Sequence, residues 1–261
     1  MLQTVSKVTQ VLDLFSLENP EWSVGEAART LGYPKSSVSE LMASLANRRL
    51  LCRIGKGRYR LGWRIFELSQ TLLQTAEFRV EARRVMEDMV GQWREIMHLA
   101  VLDGVQAVYV EKLQPTPAVK ILVSWAGARL PAHCSGVGKV LLAYSPWENI
   151  SANLRHMGMP KLTPHTITDL DELERELERI RERGYGYDIE EVSIGLRCVA
   201  APIRDCEGNV IAAISFSVPA FRFKEREEEF TEGILKAAQR ISAALPKHAR
   251  SLPRELTTLH R

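Results

Sequence analysis

Apolar positions recur at helical spacing toward both ends of this chain and cluster into strand-length runs between them. Val5, Val8, Val11, Leu12 and Phe15 share one face and predict a helix over residues 4–18. Asn19-Pro20-Glu21 breaks it, with Trp22 expected as a core plug. Ser23 followed by Glu26 is a capping box, and Gly32 can take the left-handed conformation that ends a helix, so a short helix is expected between them. Pro34 then suits the first turn of a second helix, whose stripe is Val38, Leu41, Met42 and Leu45. Residues 50–54 and 58–61 flank Gly55-Lys56-Gly57, the pattern of a β-hairpin with a glycine-bounded tip. Two helices, a tight turn and a small hairpin make a winged helix-turn-helix.

Residues 63–76 read as a helix that is apolar over much of its circumference, through Ile65, Phe66, Leu68, Leu72 and Leu73. Such a helix either packs back on its own chain or pairs with its twin in a dimer. A further helix over 80–90 leads to strands at 98–102, 107–113 and 120–123, with Asp103-Gly104 as the first turn. An amphipathic helix over 169–183 stops at Gly184. Strands at 198–203 and 210–218 follow, joined by residues 205–209, and a last helix covers 225–245. Two strand clusters separated by helices predict an antiparallel α+β sheet covered on one side. The expected fold is therefore α+β in two domains. The winged helix-turn-helix takes 1–62, a linker helix 63–77, the second domain 78–247, and a solvated tail 248–261.

Charge sharpens this division. The net charge of +3 hides ten Lys and Arg against five Asp and Glu in residues 1–64, while the remainder carries 25 basic and 27 acidic residues. Positive charge concentrated on one small domain fits a polyanionic partner. The candidate DNA-contacting residues are Lys35, Ser36, Ser37, Ser39 and Glu40 on the outward face of the second helix, with Ser23 at the cap. Lys56, Arg58 and Arg60 on the hairpin are expected on the phosphate backbone. Glu40 has two readings, as an acceptor for a cytosine amino group or as a partner for Arg48 or Arg49. No targeting segment is visible, the longest apolar run is too short to span a bilayer, and Cys52, Cys134, Cys198 and Cys206 follow no disulfide framework, so a cytoplasmic location is expected.

Three strings in the second half, GARLPAHCSGVGKVLLA at 127–143, GYGYDIEE at 184–191 and GLRCVAAP at 195–202, precede the serine pair Ser215 and Ser217. With these, the chain resembles the IclR family of bacterial transcriptional regulators over nearly its whole length. The resemblance implies a GAF-like effector-binding domain, a linker helix in a homodimer contact, often a dimer of dimers, and an effector pocket lined by Asp188, Cys198, Ser215 and Ser217. Val137 departs from the smaller residues frequent in the family and would narrow the pocket or select an apolar part of the ligand.

The residues also make sense as a small-anion site. Ser135, Gly136, Val137 and Gly138 lead into a helix at 139–143, and glycine there lets backbone amides approach a ligand. Ser215 and Ser217 alternate correctly to face one side of a strand. The expected effector is a small organic acid, carboxylate or aromatic. A metal- or redox-sensing regulator using His98, His133, Cys134, Cys198 and Cys206 is the alternative, although no close Cys or His pairing supports it. A thiol enzyme built on His133 and Cys134 lacks a nucleophile signature. The expected protein is a DNA-binding regulator without catalytic residues, resident metal or cofactor, bound to operator DNA and apart from any membrane.

Overall fold

In the computed structural model, which describes residues 2–115 and 124–245, the chain divides into two units at Thr75. The first contains α1 (Gln3–Asp13), β1 (Trp22–Ser23), α2 (Val24–Leu31), α3 (Lys35–Asn47), β2 (Leu51–Ile54), β3 (Arg58–Leu61) and α4 (Trp63–Thr75). Its core joins Val11 of α1, Ala27 and Ala28 of α2, and Val38, Met42 and Leu45 of α3 to Leu51 and Tyr59 of the hairpin. The capping box forms in full: the Ser23 hydroxyl accepts from the Glu26 amide, and the Glu26 carboxylate accepts from the Ser23 amide. Gly32 closes α2 at φ +68°.

Three details differ from the sequence expectation. The opening helix stops at Asp13 instead of 18, because the Ser16 hydroxyl accepts from the Asn19 amide in a turn and the Trp22 indole takes up the Leu14 carbonyl. Pro34 is the N-cap residue and α3 starts one residue later. The hairpin gains a third strand, in the order β1-β3-β2. An N-cap residue has extended backbone angles, and Ser23, at φ −85° and ψ 157°, uses them to pair with Arg58 of β3. Gly62 is required where the chain leaves the sheet: a Cβ there would lie 2.0 Å from the Arg49 carbonyl oxygen.

The second unit is built on a six-stranded antiparallel sheet in the order β6-β5-β4-β9-β8-β7. The strands are β4 (Ile96–Asp103), β5 (Gln106–Leu113), β6 (Arg129–Pro131), β7 (Gly186–Ile189), β8 (Leu196–Arg204) and β9 (Val210–Pro219). The helices are α5 (Glu77–Trp93), α6 (Gly136–Ala143), α7 (Trp147–Met157), α8 (Leu170–Arg183), α9 (Ala220–Glu225) and α10 (Glu227–Ala244). The expectation of a sheet covered on one side is corrected. Met97, Leu99, Val199, Ala201, Ile214 and Phe216 pack against α5 and α10, while Ala100, Ala107, Ala200 and Ala213 face α6 and α8. Buried on both faces, β8 and β9 read as largely apolar runs, interrupted on β9 by Ser215 and Ser217.

Asp169 caps α8 by accepting from the Glu172 amide, and Gly184 ends it at φ +82°. The expected last helix forms as α10, and a short helix, α9, precedes it. Arg226, at φ −134°, separates α9 from α10 and lays its guanidinium over the Trp93 and Phe230 rings at 5.3 and 5.2 Å. Helix α7 was not legible beforehand, since only Ile150, Ser151 and Leu154 of it are buried. The expected strand at 120–123 and the tail at 248–261 lie outside the described residues. Among the described residues, no helix is long and apolar enough to cross a membrane.

Candidate functional site

Two sites emerge, one in each unit. In the first, α3 presents Lys35, Ser36, Ser39 and Glu40 to solvent, with Ser37 half-buried at the edge of the same face. Among the described residues Glu40 forms no ion pair with Arg48 or Arg49. Lys56 sits at the hairpin tip with φ +63°, and it and Arg60 are exposed. Arg58 differs from both. Its guanidinium lies 3.2 Å from the Glu26 carboxylate and 3.6 Å from that of Glu21, and donates to the Glu21 carbonyl at 2.8 Å. Ser23 is likewise engaged, its oxygen accepting within the capping box. Helix α4 has no buried residue, and Trp63, Phe66, Leu68 and Leu72 are exposed.

The second site is a small, partly open cavity at the N-terminus of α6. Strand register builds it. Asp188 of β7 pairs with Cys198 of β8, Cys198 with Ser217 of β9, and Ser217 with Ile96 of β4. One row along, Ala200 pairs with Ser215 and Ser215 with His98. Adjacent rows thus bring Asp188, Cys198, Ser217, Ser215 and His98 together from four strands on the face that α6 covers. Ser135, Gly136, Val137, Asp188, Cys198, Ser215 and Ser217 all line this cavity, together with His98, Tyr109, Ser124, Val192 and Leu196. The space at its centre is about 20 Å³, room for roughly one water.

Ser135 is the N-cap of α6, its hydroxyl accepting from the Gly138 amide at 3.2 Å. A Cβ at Gly138 would come within 2.4 Å of Ala132, so only glycine allows the loop and the first helical turn to approach this closely. Helix geometry leaves the amides of Gly136 and Val137 without intrahelical acceptors, and the helix dipole adds positive potential there. These are features of an anion site.

Protonation states follow from burial. Asp188 accepts from the Glu191 and Val192 amides at 2.7 and 3.4 Å. Burial, and then the neighbouring Glu191 carboxylate, push its pKa up to about 7, against the opposing pull of Lys139. Lys139 and Glu191 form a buried ion pair, and among the described residues the second Glu191 carboxylate oxygen has no hydrogen-bond partner. Burial lowers His98 to about 3, so its imidazole is neutral. Its ring nitrogens lie 2.7 Å from the Ser124 hydroxyl and 3.2 Å from that of Ser217, which in turn is 3.1 Å from the Cys198 sulfur. Burial raises the Cys198 thiol as well.

Sequence reasoning placed His98 only in a metal set and missed Tyr109 and Ser124. The available signal was a histidine alternating with Met97 and Leu99 in an otherwise apolar strand. Among the described residues, no three His, Cys, Asp or Glu side chains are grouped to hold a metal ion. His133 and Cys134 turn to separate carbonyls, those of Pro160 and Pro131. Burial pushes the Cys134 thiol up to about 12, which leaves no thiolate nucleophile at neutral pH.

Residues 4–54 match the IclR helix-turn-helix domain, and residues 70–243 match the bacterial transcriptional regulator IclR C-terminal domain. The chain belongs to the IclR family. It is 32% identical to the HTH-type transcriptional regulator XynR of Escherichia coli, covering 94% of this chain and 98% of that one. The crystal structure of Thermotoga maritima IclR superimposes with a TM-score of 0.71 at 30% identity, over 93% of this chain and 98% of the other. An IclR homologue from Microbacterium hydrocarbonoxydans, crystallised with 4-hydroxybenzoate, gives a TM-score of 0.79 at 29% identity, over 92% and 98%. The family's two-domain α+β fold, its helix-turn-helix and its regulatory, non-enzymatic role extend to this chain.

Proposed function

We propose that this IclR-type regulator binds operator DNA through α3 and the wing, and that a small organic acid in the cavity of the second unit modulates that binding. The observation that carries the reading is the convergence of polar side chains from four strands on the N-terminus of α6 within an otherwise apolar enclosure. A carboxylate fits the amides of Gly136 and Val137, with the hydroxyls of Ser135, Ser215 and Ser217 as further donors. Asp188 in its protonated form donates to an acid, and in its ionised form accepts from a ligand hydroxyl. The aromatic hydroxy acid bound by the Microbacterium homologue has both groups. Val137, Val192 and Leu196 offer an apolar wall for the ligand body.

On the DNA side, Lys35, Ser36, Ser37, Ser39 and Glu40 enter a groove, with Glu40 free to read a base. Lys56 and Arg60 follow the phosphates. The exposed apolar side chains of α4 pair with a second copy, giving a homodimer with two half-sites and a route to a dimer of dimers. The effector acts by binding two states of the assembly with different affinity, and so shifts their population.

The test is fluorescence anisotropy of the protein on its own gene's upstream DNA, with a panel of aliphatic and aromatic carboxylic acids. The expected result is specific binding altered by one acid class in the wild type and unaltered in Ser215→Val. Upstream DNA bound no better than random duplex, with no acid effect, would refute it.

A further inference from the structure

Lys56 and Arg60 extend into solvent, and among the described residues neither forms an ion pair. Arg58 sits between them in sequence but at a different kind of place. Its strand neighbour across the β1–β3 ladder is Ser23, the N-cap of α2. Its guanidinium reaches both oxygens of the Glu26 carboxylate at 3.2 Å, and Glu26 also accepts from the Ser23 amide at 2.8 Å. A second guanidinium nitrogen holds the Glu21 carbonyl, and the Glu21 carboxylate lies alongside. Bonds from Ser23 and Arg58 lower the Glu26 pKa to about 2, so this carboxylate is fully charged at neutral pH. Every strong acceptor near Arg58 therefore comes from the helix-turn-helix segment.

We propose that Arg58 is a positioning residue: it closes the α2 capping box and fixes the wing against the helix-turn-helix, while Lys56 and Arg60 make the wing's phosphate contacts. This rests on the reading of the first unit as a DNA-binding module. The physical reason is competition. A guanidinium paired with two carboxylates and a carbonyl has little to gain from a phosphate, since it must first give up charge-assisted bonds of similar strength. Held in place, it transmits the geometry of α2 to β3 and so sets where the exposed tip meets the backbone.

The two roles predict opposite signs for one substitution. Glu26→Gln keeps an oxygen to accept from the Ser23 amide but removes the charge that holds Arg58. If Arg58 were a phosphate contact, freeing it would tighten binding to a random 30-base-pair duplex and steepen the salt dependence. As a positioning residue, its release weakens that binding by roughly threefold to tenfold with the salt slope unchanged. Arg58→Ala is expected to match Glu26→Gln, and the double variant to be no weaker than either. Lys56→Ala and Arg60→Ala should each lower the slope by about 0.9. Amide exchange at β1 and β3, measured on the full chain without DNA, should quicken in Glu26→Gln and in Arg58→Ala. Tighter binding by Glu26→Gln, a lower slope in Arg58→Ala, or no change in either variant would overturn the proposal. Wild-type protein binding no duplex would instead overturn the DNA-binding reading, leaving the exchange result to judge the clamp alone.

Discussion

Asp188 offers the sharpest quantitative test of the cavity. Its carboxyl group is buried beside Glu191, and one lysine, Lys139, serves both acids. With all three groups ionised, the cluster holds a net negative charge away from water. The folded-state pKa rises from 3.8 to about 7. Each unit is worth about 1.4 kcal/mol, so ionising Asp188 costs the folded state on the order of 4 kcal/mol. The sign follows from proton counting. Between pH 4 and 7 the folded protein holds a proton that the unfolded chain has lost, so Asp188 makes stability fall as pH rises through this window and flatten above it. Asp188→Asn keeps an oxygen for the Glu191 and Val192 amides and removes the titration. The difference in melting temperature, variant minus wild type, should therefore grow from pH 4 to 7 by roughly 8–16 °C and then level off. Groups away from this cluster titrate equally in both proteins and cancel. Parallel pH profiles for the two proteins would refute the account of this cluster.

The same proton governs the proposed ligand. Above pH 7 acid affinity should fall about tenfold per pH unit in the wild type and not in Asp188→Asn, read by calorimetry with a responsive acid. Removing one partner of the buried Lys139–Glu191 pair, as in Lys139→Met, should cost about 3–5 kcal/mol in denaturant melts, and Lys139→Met with Glu191→Leu should cost less than either alone. Gly138→Ala forces a Cβ into Ala132 and should destabilise the second unit by about 1–3 kcal/mol in the same melts. Leu72→Glu on the exposed face of α4 should move the protein toward monomer in light scattering, while its circular dichroism stays unchanged.

What was legible in the chain was local. Ser23 with Glu26, Gly32, and Asp169 with Gly184 mark helix ends through bonds that span three or four residues, so adjacent letters carry the information. Ser215 and Ser217 declare a shared face through simple alternation. What was hidden depends on register between distant strands. Nothing in the order of residues says that His98 will sit opposite Ser215, which lies 117 positions away. Arg58 and Glu26 are 32 apart, and a hairpin read by itself makes every arginine on it look free. The two-sided cover of the sheet was present in the largely apolar runs of β8 and β9, but pattern alone does not separate a strand buried on both faces from one end of a buried helix.

Cavity size and its surroundings together decide how an effector enters. Room for about one water at the centre is less than a small aromatic acid needs, so on the proposed reading its surroundings would have to give way. Among the described residues, β8 and β9 are buried on both faces and α6 is buried along its whole length. The segment from Glu190 to Gly195 carries Val192 to the cavity. Polar contacts hold that segment. Asp188 binds the Glu191 and Val192 amides, Lys139 binds the Glu191 carboxylate, and the Thr163 and Thr166 hydroxyls donate to the Glu190 and Glu191 carbonyls at 2.7 Å. Glu190 itself sits at φ +60°, a conformation that non-glycine residues adopt at some cost. A segment held largely by polar bonds can exchange those bonds for others. An entering carboxylate is one such exchange partner, because it competes for the proton on Asp188 and for the field of Lys139. On the proposed reading, the residue that anchors this segment is also the one that would meet the ligand. On that reading this cavity should admit an acid and exclude a hydrocarbon of the same size, which calorimetry with such a pair would check.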